Sequence, residues 1–278
     1  MNQPDLDKAA YDLAKDFLRR SGADKGVTPE LIEEYLQLST PRPDALPGVY
    51  ESLLESAQSA ERKATVIGGA IGGVHKLKPV LCGFDPSQVL SKYATGREVF
   101  EDVVTHLKPR GNINTSSKGM WPRYCLTILS GARFLSQFAS ADDFYEWVDG
   151  FDRLDDRARP ALPMLLAQEI DGFGFALACN FVKELGYENF CKPDVHVKAI
   201  FWAIGLSPWG TDDYEVFKAV ARVARHAGVS PYNVDKVFWL IGSGHFYRNP
   251  EVGVDGKIGR LKKQFIETAQ TVLEQQRT

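Results

Sequence analysis

The stretch EIDGFGFALACNFVKELGYENFCKPDVHVKAIFWAIGL, Glu169 to Leu206, decides the fold. Gly172-Phe173-Gly174 lies between two apolar helical patterns. Glycine permits positive φ and close backbone approach, so the triplet reads as a tight turn. Leu177, Phe181 and Leu185 follow at i, i+4 and i+8, with Ala178 and Val182 beside them, which makes one buried helix face. Gly186 then ends that helix at the C′ position. Amides in the helix's first turn, with its dipole, can hold a phosphate without any side chain. Further on, Val197, Ile200, Phe201 and Ile204 repeat at i, i+3, i+4 and i+7. A second helix therefore starts at about Val195, with Asp194 as its N-cap. Taken alone, the turn is an ordinary αα-corner and Asp194 an ordinary cap. Together, joined by one helix and a short loop, they form a more specific pattern than either part.

The rest of the chain is helical in pattern. Thr28 and Pro29 open one helix as N-cap and first residue. Another begins near Val49, and Ser140 with Asp143 reads as a capping box. TVIGGAIGGVHKLKPVLCGF, Thr65–Phe84, is β-branched and Gly-rich. It lacks the Lys-Ser/Thr of a phosphate loop and is expected as a Gly-interrupted helix, a loop or a short extended piece. KPRGNINTSSKGMWP, Lys108–Pro122, reads as a polar loop. Confident strand patterns are absent, so the expected class is mostly α.

Composition sets limits. The 278 residues are 44% hydrophobic and 25% charged, as in ordinary globular proteins, with a formal charge of −3. No apolar run reaches membrane-spanning length, and the N-terminus lacks a signal-peptide pattern. Cys82, Cys125, Cys179 and Cys191 form no CxxC pair and fit neither a disulfide framework nor a zinc or iron–sulfur spacing. The expectation is a monomeric cytoplasmic protein, nucleoid-associated if bacterial, with no membrane partner. Charge is unevenly distributed. No acid occurs from Val103 to Ala141, where Lys108, Arg110, Lys118, Arg123 and Arg133 fall. None occurs from Arg62 to Phe84 either, where Arg62, Lys63, Lys76 and Lys78 lie. Each stretch is a local positive face or a solvated loop.

The motifs resemble those of the helix-hairpin-helix DNA glycosylases, the superfamily of endonuclease III and the 8-oxoguanine glycosylases. The family hairpin, roughly Leu-Pro-Gly-apolar-Gly-x-Lys-Thr-Ala, corresponds here to Ile170 through Ala178. The family's Pro-x-Asp-x-His-apolar signature is similar to Pro193, Asp194, His196 and Val197. DKVFWLIGSGHF, Asp235–Phe246, resembles the family's late helix ending near a glycine. The resemblance implies a two-lobed helical fold with a cleft between lobes. Residues 1–95 would contribute to the first lobe, 96–190 would form a helical-barrel lobe ending in the hairpin, and 191–278 would complete the first lobe.

The resemblance also implies a chemistry. Family members flip a base out of duplex DNA and cleave its glycosidic bond. Asp194 would be the catalytic carboxylate, stabilising an oxocarbenium-like sugar and orienting water. Gly172, Phe173, Gly174, Phe175, Ala176, Lys192, Lys118 and Arg123 would contact DNA, with His196 supporting Asp194. Ala176 stands where bifunctional members carry the lysine that attacks the sugar, which points to a monofunctional enzyme leaving an abasic site. The alternatives are a relocated lysine (Lys183, Lys192 or Lys198), a non-catalytic DNA-binding module and an all-α scaffold for a protein partner. Asp171 replaces the usual hairpin proline and could help ligate a monovalent cation among the hairpin carbonyls. No iron–sulfur cluster is expected. Trp202, Trp209, Phe238 and Trp239 are core or a base-stacking pocket, and His245 faces either a cleft or a surface loop.

Overall fold

A computed structural model describes residues 2–38, 41–59, 66–111 and 113–277. Arg62 and Lys63 of the second acid-free stretch lie outside the described residues. The helices, in chain order, are α1 Gln3–Gly22, α2 Pro29–Leu36, α3 Leu46–Ala57, α4 Gly68–Ile71 and α5 Pro86–Lys92. Then come α6 Gly96–Leu107, α7 Met120–Leu135, α8 Ala141–Asp152, α9 Ala161–Glu169 and α10 Phe175–Glu184. The series ends with α11 Val195–Ala203, α12 Asp213–Ala227, α13 Pro231–Ser243 and α14 Lys262–Arg277. Among the described residues only isolated β-bridges near residues 245–257 interrupt this all-helical pattern.

Local caps form where the sequence places them. The Thr28 hydroxyl accepts the Leu31 amide at 3.2 Å with Pro29 in the first turn. Ser140 Oγ accepts the Asp143 amide at 3.1 Å, while Asp143 Oδ2 accepts the Ala139 amide at 2.8 Å. The reciprocal bond thus falls one residue earlier than in a strict capping box. Gly186, at φ +93, follows the end of α10. In the Gly-rich segment, α4 is a single turn followed by a 3-10 turn at Val74–Leu77. Gly72 and Gly73 between them have φ of +85 and +116, which a side chain would strain.

Two compact units result. One comprises Met1–Ser39 with Gly186–Thr278, the other Thr40–Leu185. Residues 40–95, expected with the first lobe, therefore belong with 96–185. The reason is packing: α3 and α5 pack on α7, and α3 also packs on α10. Tyr50 and Tyr124 fasten α3 to α7 by donating to the Ile128 and Leu54 carbonyls at 2.6 and 3.0 Å. Phe134, Phe138, Phe144 and Trp147 fill the space between α7 and α8 with edge-on and tilted ring contacts.

In the other unit α1 packs on α12, α13 and α14, and α13 also packs on α2, α11 and α12. Phe238 lies against Phe201 and Phe265, with ring centroids 5.0 and 5.9 Å apart. Phe17 joins them from α1, 5.2 Å from Phe265. Asp7, fully buried on α1, accepts from Arg222 Nε at 2.8 Å and lies 2.7 Å from His226 Nδ1. Arg222 also donates to the Leu206 carbonyl at 2.6 Å.

Candidate functional site

The hairpin is a short break between α9 and α10, built inside the second unit. Ile170 leaves α9 in extended conformation, Gly172 takes φ +73, and Gly174 starts α10 without a side-chain cap. The Phe173 amide closes the turn on the Ile170 carbonyl at 3.1 Å. Two buried hydroxyls of α7 hold it from behind. Thr127 Oγ1 donates to the Asp171 carbonyl at 2.6 Å, and Ser130 Oγ accepts the Asp171 amide at 2.9 Å. A Cβ on Gly172 would come 3.1 Å from Thr127 Oγ1. The glycine thus serves both the positive φ and the close approach to α7.

This packing sorts the hairpin residues. Asp171, Gly172 and Gly174 are exposed, and Phe175 and Ala176 are half-buried. The Phe173 side chain is 1% exposed and lies edge-on against Phe181 in the core. Burying that ring anchors the turn and leaves only the residue's backbone to meet a ligand. Asp171 has its amide and carbonyl committed to α7, with its carboxylate in solvent. The carbonyls of Ile170, Asp171 and Gly174 already accept protein hydrogen bonds. Among the described residues no three His, Cys, Asp or Glu side chains gather as a metal centre.

Asp194 lies in the other unit, at the end of an ordered turn. The Lys192 amide donates to Asp235 Oδ2 at 2.9 Å, and the Asp194 amide returns to the Lys192 carbonyl at 2.8 Å around Pro193. Asp235, on α13, is 1% exposed. Asp194 Oδ1 accepts the amides of His196 and Val197 at 2.8 and 3.0 Å, so it caps α11 as its sequence position suggests. Its Oδ2 accepts no hydrogen bond among the described residues. The side chain is half-buried, next to Val195, which is 68% exposed. One carboxylate oxygen is thus fixed by backbone and the other is available for chemistry.

His196 is half-buried, and its Nδ1 is buried without a hydrogen-bond partner among the described residues. Gly242 explains its position, since a Cβ there would fall 2.5 Å from His196 Cβ. The ring is pressed against the α13 backbone, where no acceptor faces Nδ1. Burial chiefly, and the charge of Lys262, push the His196 pKa below its ordinary 6.5, while Asp194 pulls it up. The folded protein therefore favours neutral His196, whereas the unfolded chain takes up a proton near 6.5. Stability associated with this group is present above 6.5 and is lost as pH falls through 6.5 toward the lowered folded value. Melting temperatures between pH 7.5 and 5 should fall less steeply for His196→Gln than for the wild type. Equal slopes would remove His196 from the account.

Similar structures include two helical glycosylases. No family model matches the sequence. No curated protein matches it. The fold is similar to that of Tm1821, the 8-oxoguanine DNA glycosylase of Thermotoga maritima, with 17% identity and a TM-score of 0.49. That similarity covers 83% of this chain and 96% of the other. It is also similar to the Methanocaldococcus jannaschii 8-oxoguanine glycosylase/lyase, solved with 15mer DNA containing 8-oxoguanine. There the identity is 14% and the TM-score 0.49, over 82% of this chain and 97% of that one.

The remaining candidates distribute as follows. Lys118 is exposed, and Arg123 and Lys192 are half-buried. Lys198 is tied to Asp213 at 2.6 Å, and Lys183 is buried with its ammonium 3.4 Å from Glu184. Phe238 is core, whereas Trp209 is 79% exposed and packs against Trp202. His245 and Trp239 are half-buried beside Tyr247. Lys236 is buried among Tyr232, Trp239 and Tyr247 and donates to the Tyr247 hydroxyl at 3.0 Å. Sequence reasoning missed Thr127, Ser130, Asp235 and Gly242. Their only signal was a polar or minimal residue inside an otherwise apolar helix.

Proposed function

We propose that this protein is a monofunctional DNA glycosylase that hydrolyses the N-glycosidic bond of a damaged or modified base in duplex DNA. The observation that best supports this reading is the Asp194 carboxylate. Its Oδ1 is held by two amides, and its Oδ2 remains able to face a developing positive charge. In the proposed reaction the ionised carboxylate stabilises the oxocarbenium-like sugar as the base departs, and orients the water that attacks C1′. The exposed backbone of Gly172 and Gly174, with the uncapped start of α10, supports a phosphate grip. Holding the strand there would help offset the few kcal/mol of unstacking that a flipped nucleotide requires, least for a damaged or mispaired base.

The position that bears the nucleophile in bifunctional relatives is Ala176, which has no amine. Lys198 is engaged by Asp213, and Lys183 is buried beside Glu184, which disfavours either as a substitute. The expected product is an abasic site in an intact strand. Duplexes carrying single modified bases, 8-oxoguanine among them, should break only after hot alkali. Borohydride added during turnover should trap no protein–DNA adduct. A trapped adduct would replace this reading with a glycosylase/lyase using a lysine elsewhere, for which Lys192, two residues from Asp194, is the first to substitute. No base release on any duplex, with duplex binding retained, would leave a DNA-binding module.

A further inference from the structure

The two acid-free segments of the sequence come together. The Arg110 amide donates to the Ala70 carbonyl at 2.9 Å, fastening the loop after α6 to the Gly-rich segment. Between them lies a groove of about 620 Å³, contained within the Thr40–Leu185 unit. Val66, Ile113, Met120 and Trp121 supply its apolar surface. Arg110 and Lys118 supply its charge, and no acidic residue lines it. Both cations are exposed, and neither makes an ion pair among the described residues. Residues 114–119 form a closed turn. Asn114 Oδ1 accepts the Ser116 amide at 3.0 Å, and the Gly119 amide returns to the Ser116 carbonyl at 2.7 Å. A Cβ on Gly119 would fall 2.2 Å from the Asn114 carbonyl oxygen, so this turn admits only glycine without rearrangement.

We propose that this groove binds a nucleotide, with its base against the apolar surface and its phosphate between Arg110 and Lys118. The chemistry suits that ligand better than an inorganic anion or an apolar molecule. A free anion would leave the apolar walls unused, and a neutral apolar ligand would leave two unpaired cations without a role. Apolar or aromatic surface beside a cationic rim is the general design for unpaired nucleotides. The volume is within the range of small-molecule sites. The nucleotide belongs to a DNA strand or is free in solution, since both carry the same groups. Continuity favours the strand. Met120, at the groove, and Thr127, which holds the hairpin, lie on α7 seven residues apart, about 10 Å at 1.5 Å per residue. The groove would take a nucleotide whether or not Asp194 is catalytic.

Three proteins separate the outcomes: wild type, Arg110→Ala/Lys118→Ala, and Arg153→Ala/Arg157→Ala, which removes equal charge elsewhere in the same unit. Each is titrated with a fluorescein-labelled thymidine dodecamer over a range of salt, and with thymidine monophosphate by calorimetry. The groove pair should weaken dodecamer binding about tenfold and reduce the salt slope by about 0.7, the value for one lost phosphate contact on a single strand. The control pair should change both much less. Loss of monophosphate binding with unchanged dodecamer binding would assign the groove to a free nucleotide. Unchanged binding of both ligands, or equal weakening by the control pair, overturns the proposal. All four substituted residues are exposed, so unchanged melting curves confirm intact variants. These readouts are binding alone and need no base release, which keeps failure of the groove distinct from failure of the glycosylase reading.

Discussion

Asp194→Asn should retain the wild-type fold and melting temperature while lowering base release by about 10²–10³-fold, the scale on which a single preorganised electrostatic group acts in a transition state. The choice of asparagine matters. Asp194 has two separable tasks, capping α11 through Oδ1 and, in the proposed reaction, facing the sugar with a negative charge. Asparagine and aspartate are nearly equal as N-caps, so the substitution spares the first task and removes the second. Asp194→Ala should lose both, with about 1 kcal/mol less stability as well as the activity. The measurement is single-turnover alkali-labile cleavage of the duplex on which the wild type is active, alongside thermal melts. Wild-type rates for Asp194→Asn would show that the residue is only a cap. Loss of stability in that variant would make its lost activity uninterpretable, and Asp194→Glu would then test whether a carboxylate alone sustains the rate.

The caps at Thr28, Ser140, Gly186 and Asp194 were legible because their partners lie within a few residues. A capping hydroxyl and its amide are three apart whatever the rest of the chain does. The apolar faces of α10 and α11 were legible for the same reason, as periodicity within one helix. What was not legible depends on distant pairs. Thr127 and Ser130 meet Asp171 across 44 and 41 residues, and Asp235 meets Lys192 across 43. No local rule says which buried hydroxyl or carboxylate will serve which turn. His196 shows a different limit. The missing partner for its Nδ1 follows from Gly242, which lets the α13 backbone approach the ring. The unit boundary was misplaced because α3 and α5 are amphipathic in a way that does not name their partner, and both pack on α7.

Asp7→Ala should destabilise the protein by about 3–5 kcal/mol, the usual consequence of removing one partner from a buried ion pair. Asp7 is fully buried, and its two oxygens take Arg222 Nε at 2.8 Å, Arg222 Nη2 at 3.2 Å and Gln3 Nε2 at 2.8 Å, with His226 Nδ1 2.7 Å from Oδ2. Arg222 and His226 belong to α12 and Gln3 to α1, so the cluster joins the first helix of the chain to a helix more than two hundred residues later. Alanine would leave the Arg222 guanidinium, its side chain only 30% exposed, with the Leu206 carbonyl and a limited share of solvent to satisfy it. The loss arises from that stranded charge more than from the missing attraction, since desolvation has already consumed much of the pair's Coulomb energy. Two further variants test this explanation. Asp7→Asn, which keeps acceptor geometry without the charge, should fall between wild type and alanine. Asp7→Leu/Arg222→Met, which removes both charges and fills similar volume, should recover much of the stability. Denaturant melts of the wild type and these three variants decide the matter. If the double variant is no more stable than Asp7→Ala, the loss comes from packing between α1 and α12 and the stranded-charge account fails.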